Sequence, residues 1–371
     1  MKIDQWTWAG GIPERAPSYG EQLVLVFGVP LHLETTLFET ILGCYPAAHI
    51  LIASTAGEIV GTRVLDDSVV VTAVELERSQ LRVARATLVD PDGSDAVGRA
   101  LAAQLPPDGL RHVLVLSVGH RVNGSALARG LAESLPPGIQ VTGGLAGDGS
   151  RFQRTLVGLD GPPVEGLVAV VGFYGAALRI GCGSLGGWDP FGPERIITRA
   201  RGNVLYELDG RPALDLYREY LGEHAAGLPA SGLLFPLSLR GANGEIGIVR
   251  TLLAIDETER AIAFAGDMPE GVYARLMKAN FDRLIDGAQG AARRSSIADA
   301  QLALLISCVG RKLVLRQRIE EEVEAVRDVL GPGVVLAGFY SYGEISPFTP
   351  SATCELHNQT MTITTLAEDM A

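Results

Sequence analysis

The chain has 371 residues, a length at which two domains are the usual expectation. Hydrophobic residues make up 47% of it and charged residues 20%, a composition that supplies a sizeable core and argues against long disordered stretches. The formal net charge is −12, and no run of lysines or arginines occurs. These features argue against a nucleic-acid partner, because phosphate recognition needs clustered positive charge.

Cysteine usage and hydropathy bear on the compartment. The cysteines Cys44, Cys182, Cys308 and Cys354 form neither a CxxC pair nor a Cys/His spacing typical of zinc, which favours reduced, buried thiols. The first residues lack the apolar core of a signal peptide. The most apolar stretch, 166–178, is shorter than the roughly 20 residues of a membrane-spanning helix. We therefore expect a cytoplasmic protein without membrane insertion.

Three segments, 22–61, 112–150 and 301–347, read as copies of one strand–helix–strand unit. Each has an apolar run of strand length, apolar residues at helical spacing, and a second apolar run that ends in a glycine-bearing loop. Short joints between such elements predict parallel pairing of the two strands. The predicted fold class is therefore mixed α/β, with repeated β-α-β units forming mixed sheets covered by helices. A layered αββα arrangement of two domains is compatible with these units.

A further strand is predicted after each unit, at 68–76, 166–175 and 359–367. In the third unit, the apolar stripe of the helix predicts that the run Glu320 to Glu322 stays in solvent.

The block between the second and third units differs from them. It predicts strands at 233–240, 246–256 and 261–271, followed by a helix over 272–292. Turn-forming residues around 189–210 predict a boundary between two domains, 20–205 and 206–367.

Ligands of parallel sheets bind where strands end, and the closing loops of the three units occupy that position. Backbone N–H groups of these loops can hold an anion, and their acidic side chains suit a ligand with an amine or several hydroxyls. Turn formation alone would also account for such glycines and acids. The ligand-binding residues predicted in these loops are Ser54, Thr55, Gly57, Glu58, Gly143, Gly144, Asp148 and Glu344.

Residues near the C-terminus extend this predicted site. Arg311 can pair with a carboxylate or phosphate, and tyrosines commonly line small-molecule pockets. His357 suits a pocket acid–base group or an axial metal ligand, although a lone histidine more often satisfies a neighbouring polar group. The additional ligand-binding candidates are Ser307, Cys308, Arg311, Tyr340, Tyr342, His357 and Asn358.

Catalytic motifs are absent from the sequence. It contains no P-loop, no GxGxxG after a strand, no GxSxG elbow and no HExxH, which favours binding over nucleotide or hydrolase chemistry. If the protein is an enzyme, Cys308 is the expected nucleophile, with His357 or Glu344 as its partner.

Longer motifs occur throughout residues 20–367. In the first half they are STAGEIVG (54–61), VNGSAL (122–127), GGLAGDGSRF (143–152) and GWDPFGP (187–193). In the second half they are ELDGRPALDLYREYLG (207–222), LFPL (234–237), VRTLL (249–253), FAGDMPEG (264–271), RLMKAN (275–280), SCVGRK (307–312), GFYSYGEISP (338–347) and ELHNQTMT (355–362). In combination, these motifs resemble the FIST family of sensory modules, built from a FIST N-terminal and a FIST C-terminal domain.

The resemblance implies a cytoplasmic signal-input protein that senses small ligands such as amino acids. It also implies output through a separate partner: a histidine kinase, a cyclic-di-GMP enzyme or a chemotaxis transducer. Some FIST proteins are similar to nitric-oxide-sensing haem proteins, so a non-covalent haem with His357 as axial ligand is an alternative. No cofactor is certain, and the resemblance supplies no catalytic residues.

Overall fold

The structure is a computed structural model that describes residues 1–8, 18–33, 35–240, 248–348 and 352–369. Up to residue 159 the elements are β1 (Lys2–Trp8), β2 (Leu23–Gly28), α1 (Thr35–Cys44), β3 (His49–Ser54), β4 (Glu58–Val60), β5 (Arg63–Leu65), β6 (Val69–Glu75), β7 (Gln80–Thr87), α2 (Ser94–Ala102), β8 (Leu110–Ser117), α3 (Gly124–Ser134), β9 (Gln140–Leu145) and β10 (Val157–Leu159).

The middle of the chain is dominated by strands. Its elements are β11 (Leu167–Tyr174), β12 (Leu178–Leu185), β13 (Asp189–Arg201), β14 (Val204–Leu208), β15 (Arg211–Pro212), α4 (Ala213–Leu221), β16 (Leu237–Arg240), β17 (Ile248–Arg250), β18 (Leu252–Asp256), β19 (Ala261–Phe264) and β20 (Tyr273–Lys278).

The last part alternates helices and strands. Its elements are α5 (Phe281–Ser295), β21 (Leu302–Cys308), α6 (Val309–Leu315), α7 (Ile319–Leu330), β22 (Val335–Ser341), β23 (Gly343–Pro347), β24 (Cys354–His357) and β25 (Met361–Glu368). Short 3₁₀ helices occur at Pro30–His32, Pro91–Gly93, Gly222–Gly227, Ala230–Leu234 and Arg316–Arg318. The predicted fold class, mixed α/β with mixed sheets covered by helices, is confirmed.

Each of the three predicted strand–helix–strand segments contains a parallel strand pair. These pairs are β2 with β3, β8 with β9, and β21 with β22. The strand that follows each segment returns antiparallel to the first strand of its pair, as β6 on β2, β11 on β8 and β25 on β21. The central strands are buried on both faces, which explains their continuous apolar runs.

The segments also exchange strands with one another. Strand β4 pairs with β22, β23 pairs with β9, and β10 pairs with β3. This exchange brings the closing loops together, with Ala56 N donating to Tyr340 O at 2.8 Å and Tyr342 N to Leu145 O at 3.0 Å. Strands from both sides of residue 205 share three sheets. The division into 20–205 and 206–367 stays a prediction.

The described residues 189–240 and 248–278 form a separate sheet with helix α4, which we call the lobe. Its strands run in the order β17-β16-β20-β13-β14-β19-β18, with β15 on β14. The helix packs Leu214 and Tyr217 into a core that includes Leu205, Leu237 and Phe264. The remaining sheets and their helices, which we call the body, hold the three parallel pairs.

Two predictions in the lobe are corrected by the structure. The helix predicted over 272–292 begins only at Phe281, because Tyr273–Lys278 is a strand whose Ala274 and Leu276 alternate into the core. Asn280 caps the helix by accepting a hydrogen bond from the backbone N–H of Arg283. The strand predicted at 233–240 begins at Leu237.

Residues 246 and 247, at the start of the next predicted strand, lie outside the described residues. None of the helices in the described part of the chain has the length and hydropathy that crossing a bilayer requires.

Candidate functional site

A cavity of about 580 Å³ lies where the lobe meets the carboxyl ends of β8, β9, β21 and β22. This volume is within the range of small-molecule sites, about 300–1,000 Å³. The described residues that line it are Gly119, His120, Val122, Leu145, Ser150, Phe152, Asn203, Pro229, Ala230, Leu233, Thr251, Leu252, Leu253, Phe264, Ala265, Cys308, Val309, Gly310, Leu313 and Tyr342.

The lining is apolar with a few polar atoms. Among the described residues that line the cavity there is no aspartate, glutamate, lysine or arginine. Two polar atoms, Nε2 of His120 and Oγ1 of Thr251, are buried without a hydrogen-bond partner in the protein. An unpaired buried polar atom costs about 1–3 kcal/mol, so such atoms in a cavity wall point to a ligand.

One wall is built from Phe152 and Tyr342, whose rings stack with centroids 4.6 Å apart. Phe152 has a φ of +53°, a conformation that is rare for a bulky side chain. Asp148 holds this backbone in place by accepting the N–H groups of Phe152, Gln153 and Arg154, each at 2.8 Å. The Tyr342 hydroxyl also donates to Asp148. A strained backbone that presents an aromatic ring to a cavity is typical of functional sites.

Hydrogen bonds from within the protein stabilise the charge of Asp148 in this wall. Burial of Asp148 acts to raise its pKa, but hydrogen bonds from Arg154, Tyr342, Gln153 and Phe152 outweigh it, and the pKa of Asp148 is lowered. Burial, together with the hydrogen bond to Asp148, raises the pKa of Tyr342. Asp148 therefore stays ionised, and its charge is used to order the loop that carries Phe152.

The end of β21 and the start of α6 also line the cavity. Cys308, which is 3% exposed, lines the cavity there, followed by Val309 and Gly310. Burial, and secondly the charge of Glu344, raises the pKa of the Cys308 thiol. A thiol that remains protonated at neutral pH is a poor nucleophile.

The predicted carboxylates Glu58 and Glu344 are buried and bonded within the protein. Glu58 accepts hydrogen bonds from Thr55 at 2.5 Å and Ser68 at 2.7 Å. Burial raises the pKa of Glu58 to about 7, although the Ser68 and Thr55 hydroxyls act in the opposite direction. Glu344 accepts hydrogen bonds from Ser341 and Thr360. Burial raises the pKa of Glu344 to about 8 despite these bonds.

Ser54 and Gly57, the remaining predicted residues of the first unit, contact other parts of the protein. Ser54 Oγ accepts the N–H of Leu156 at 2.8 Å, which ties the first closing loop to the second. Gly57 has a φ of +134°, and a Cβ there would collide with the Lys312 amine.

Arg311 belongs to α6, and its buried guanidinium is hydrogen-bonded to Leu284 of α5 and Glu322 of α7. The side chains of Arg311 and Glu322 are fully buried and form an ion pair, with Nη2 to Oε2 at 2.7 Å. All three guanidinium nitrogens donate to protein acceptors, which are the Glu322 carboxylate and the backbone carbonyls of Gly186, Leu284 and Gln359.

Glu322 also accepts hydrogen bonds from the predicted residues Ser307, at 3.1 Å, and Tyr340, at 2.7 Å. The expectation that the run Glu320 to Glu322 is solvated is therefore wrong for Glu322. Helix α7 turns this carboxylate inward because Arg311 supplies the charge that its burial requires.

The other predicted residues are not among those that line the cavity. A Cβ on Gly143 would overlap the Val115 carbonyl, and one on Gly144 would lie 2.7 Å from Cγ2 of Ile306. Asn358 is 1% exposed, and neither atom of its amide has a partner in the protein.

His357 is fully buried, with Nε2 2.9 Å from the Ser346 carbonyl, and burial lowers its pKa to about 4. Within the described residues, no group of three or more His, Cys, Asp and Glu side chains could hold a metal ion.

Of the predicted residues, Cys308 and Tyr342 line the cavity, and Asp148 supports its wall. Sequence reasoning missed His120, Phe152 and Thr251. Phe152 lies two residues after the glycine-rich loop GGLAGDGS, so its position was visible as a signal. Thr251 comes from the lobe, and nothing local connects it to the body.

A second cavity, of about 530 Å³, lies beside Arg250 and Asp267. Arg240 and Ile248 line it, and the residues between these two are not among the described ones. For this reason we assign no site there.

Curated relatives match the chain over part of its length. An uncharacterized protein of Methanocaldococcus jannaschii is 26% identical over 203 residues, which cover 51% of this chain and 39% of the relative. An uncharacterized protein of Mycobacterium bovis is 28% identical over 250 residues, covering 63% and 62%. An uncharacterized protein of Mycobacterium tuberculosis is 28% identical over 228 residues, covering 57% of each. The chain thus spans between about two fifths and three fifths of these relatives.

Solved structures match along the whole chain at low similarity. A chorismatase has a TM-score of 0.37 and 10% identity, covering 99% of this chain and 98% of that one. A cyanuric acid hydrolase from A. caulinodans has a TM-score of 0.35 and 8% identity, covering 100% and 99%. Likeness at this level transfers no activity.

Family models cover most of the sequence. The FIST N domain matches residues 22–211, and the FIST C domain matches residues 213–347. FIST domains are sensory domains, and the resemblance seen in the motifs is thereby confirmed. The chain belongs to the FIST family.

Proposed function

We propose that this protein is a sensor that binds a small molecule in the cavity between lobe and body. The observation that carries the proposal is the composition of that cavity. Lobe residues Thr251, Phe264 and Ala265 and body residues Cys308 and Tyr342 line the same space of about 580 Å³. A ligand that contacts both parts has a different affinity for each relative arrangement of them. Binding would therefore shift the population toward one arrangement.

Binding is favoured over catalysis by the chemistry of the lining. The raised pKa of Cys308 works against a thiolate nucleophile. His357, the partner considered for an enzyme or a haem, is buried with its Nε2 beside the Ser346 carbonyl. No observation in the described part of the chain favours haem or catalysis specifically.

The signal would pass from the lobe to a separate partner protein. The lobe joins the body through β12 and α5, and its strands form their own sheet, so it can respond as a unit. A histidine kinase, a cyclic-di-GMP enzyme or a chemotaxis transducer remains the partner class that the family resemblance implies. Hydrogen exchange of the lobe with and without ligand would report the change.

A cavity-filling variant tests the site. Ala265→Trp places an indole where the ligand would bind, while Ala176→Trp adds the same group at an exposed loop. A metabolite library would be screened by thermal shift on both variants and on the unmodified protein. We expect hits that stabilise the unmodified protein and Ala176→Trp but not Ala265→Trp. Hits that stabilise all three equally would place the ligand elsewhere and refute the proposal.

A further inference from the structure

We infer that the cavity takes an uncharged, largely apolar molecule that contains a ring and one or two hydrogen-bonding groups, rather than a free amino acid. This inference rests on the proposed function, because it assigns the ligand class of the same cavity. It follows from the charge, the aromatic surface and the unpaired polar atoms of the lining.

Charge is the first consideration. A free amino acid brings an ammonium and a carboxylate, and burying either without a partner costs several kcal/mol or more. The described lining contains no side chain of opposite charge for either group. A neutral ligand avoids this cost.

Three buried charged groups near the lining, those of Asp148, Arg311 and Glu344, are committed to the protein. Asp148 accepts three backbone N–H groups and the Tyr342 hydroxyl. Arg311 is fully engaged by Glu322 and backbone carbonyls. Glu344 is buried and accepts hydrogen bonds from Ser341 and Thr360. Moving any of them toward a ligand would break bonds that are already formed.

Aromatic surface is the second consideration. Phe152 is 39% exposed at the mouth of the cavity, and its ring lies at 15° to that of Tyr342. The ring of His120 meets Tyr342 edge-on, with centroids 5.4 Å apart. Leu252 and Phe264 add buried apolar surface to the lining. A flat ring fits between such surfaces, because offset stacking adds about 0.5–1.5 kcal/mol beyond burial.

Unpaired polar atoms are the third consideration. Nε2 of His120 lies on the body side and Oγ1 of Thr251 on the lobe side, and both lack a partner in the protein. A threonine hydroxyl both donates and accepts, and a neutral imidazole nitrogen does one or the other depending on its tautomer. A hydroxyl, an N–H or a carbonyl on the ligand would satisfy these atoms.

Two fluorescent probes with the same ring system test the inference. N-phenylnaphthylamine is neutral and carries one N–H, whereas anilinonaphthalene sulfonate has the same frame plus a negative charge. Both would be titrated into the full chain at about 1 M ionic strength. There the Debye length is about 3 Å, and the net charge of −12 biases the comparison little. We expect one molecule of the neutral probe to bind, at least about tenfold more tightly than the sulfonate.

Variants connect this preference to the cavity. Ala265→Trp should abolish binding of the neutral probe, and Ala176→Trp should retain it. Leu253 is 49% exposed at the cavity mouth and Leu42 is 40% exposed on α1, so both tolerate a charge. Leu253→Arg should tighten sulfonate binding relative to the neutral probe, and Leu42→Arg should leave the ratio unchanged. This second pair keeps the test valid if Ala265→Trp does not fold.

The outcomes separate the two proposals. Sulfonate binding as tight as neutral-probe binding, with both blocked by Ala265→Trp, would overturn the ligand class and leave the sensor cavity standing. Charged library hits that Ala265→Trp blocks, without any binding of the neutral probe, would do the same. Probe binding and library hits that are both indifferent to Ala265→Trp would overturn the proposed function itself.

Discussion

Replacing Glu322 by alanine should destabilise the fold far more than its position in an acidic run suggests. The substitution removes the acceptor that the Arg311 guanidinium contacts at 2.7 and 3.0 Å. It also removes the acceptor of the Ser307 and Tyr340 hydroxyls. Because the Arg311 side chain is fully buried, its charge would be left without a counter-ion.

The expected loss of unfolding free energy is about 3–5 kcal/mol, as found when one partner of a buried ion pair is removed. This is a large fraction of the roughly 5–15 kcal/mol that stabilises a typical domain. Replacing both partners, as Arg311→Met with Glu322→Leu, should cost much less, because no buried charge remains. The sum of the two single losses should exceed the loss in the double variant.

Glu321→Ala is the matched control. Glu321 is the preceding residue of α7, 43% exposed, and pairs with Arg318 at 2.7 Å. An exposed pair contributes about 0–1 kcal/mol, so the control should barely change stability. Urea unfolding followed by circular dichroism and tryptophan fluorescence gives the free energies, provided that the two transitions coincide. If Glu322→Ala costs no more than Glu321→Ala, the guanidinium reaches water and the reasoning fails.

Three further predictions concern pH, the cavity wall and the first loop. The folded pKa values of Glu58, about 7, and Glu344, about 8, lie above the ordinary 4.5, so the native state binds more protons than the unfolded one. The stability that these two carboxyls contribute should therefore be lost as the pH rises from about 5 to about 8. In urea titrations, the difference in unfolding free energy between the unmodified protein and a variant with glutamine at both positions should fall over this range; parallel profiles would contradict this. Phe152→Ala should weaken binding of the neutral probe about tenfold in fluorescence titrations. Phe281→Ala, also at an exposed aromatic residue, should leave this binding unchanged. Equal effects of the two substitutions would argue against stacking of the probe on Phe152. Gly57→Ala should lower the free energy of unfolding by about 1–3 kcal/mol in the same urea assay. Gly57 has a φ of +134°, and the added Cβ would collide with the Lys312 amine. An unchanged urea midpoint would contradict this conformation of Gly57.

The candidate site was only partly visible in the sequence. The rule that ligands bind at the carboxyl ends of parallel strands led to Cys308 and Tyr342, which line the cavity. The same rule selected Arg311 and Glu344, whose charged groups are bonded within the core. Strand ends locate a region, but the direction of each side chain depends on packing that local sequence does not encode.

The sequence by itself determined the local structure. Continuous apolar runs determined the buried strands β2, β8 and β21, and helical spacing determined the helices between the parallel strands. Motifs spread along the chain determined the family. These signals are local, because the periods of strands and helices are written within a few residues.

Only the tertiary structure decided the partners of these elements. It exchanged β4 and β23 among the three segments and paired β10 with β3. It also buried Glu322 against Arg311 and brought Thr251 of the lobe and Cys308 of the body to one cavity. Each of these contacts joins residues far apart in the chain. Their stability comes from the complementarity of two surfaces, which no single stretch of sequence contains.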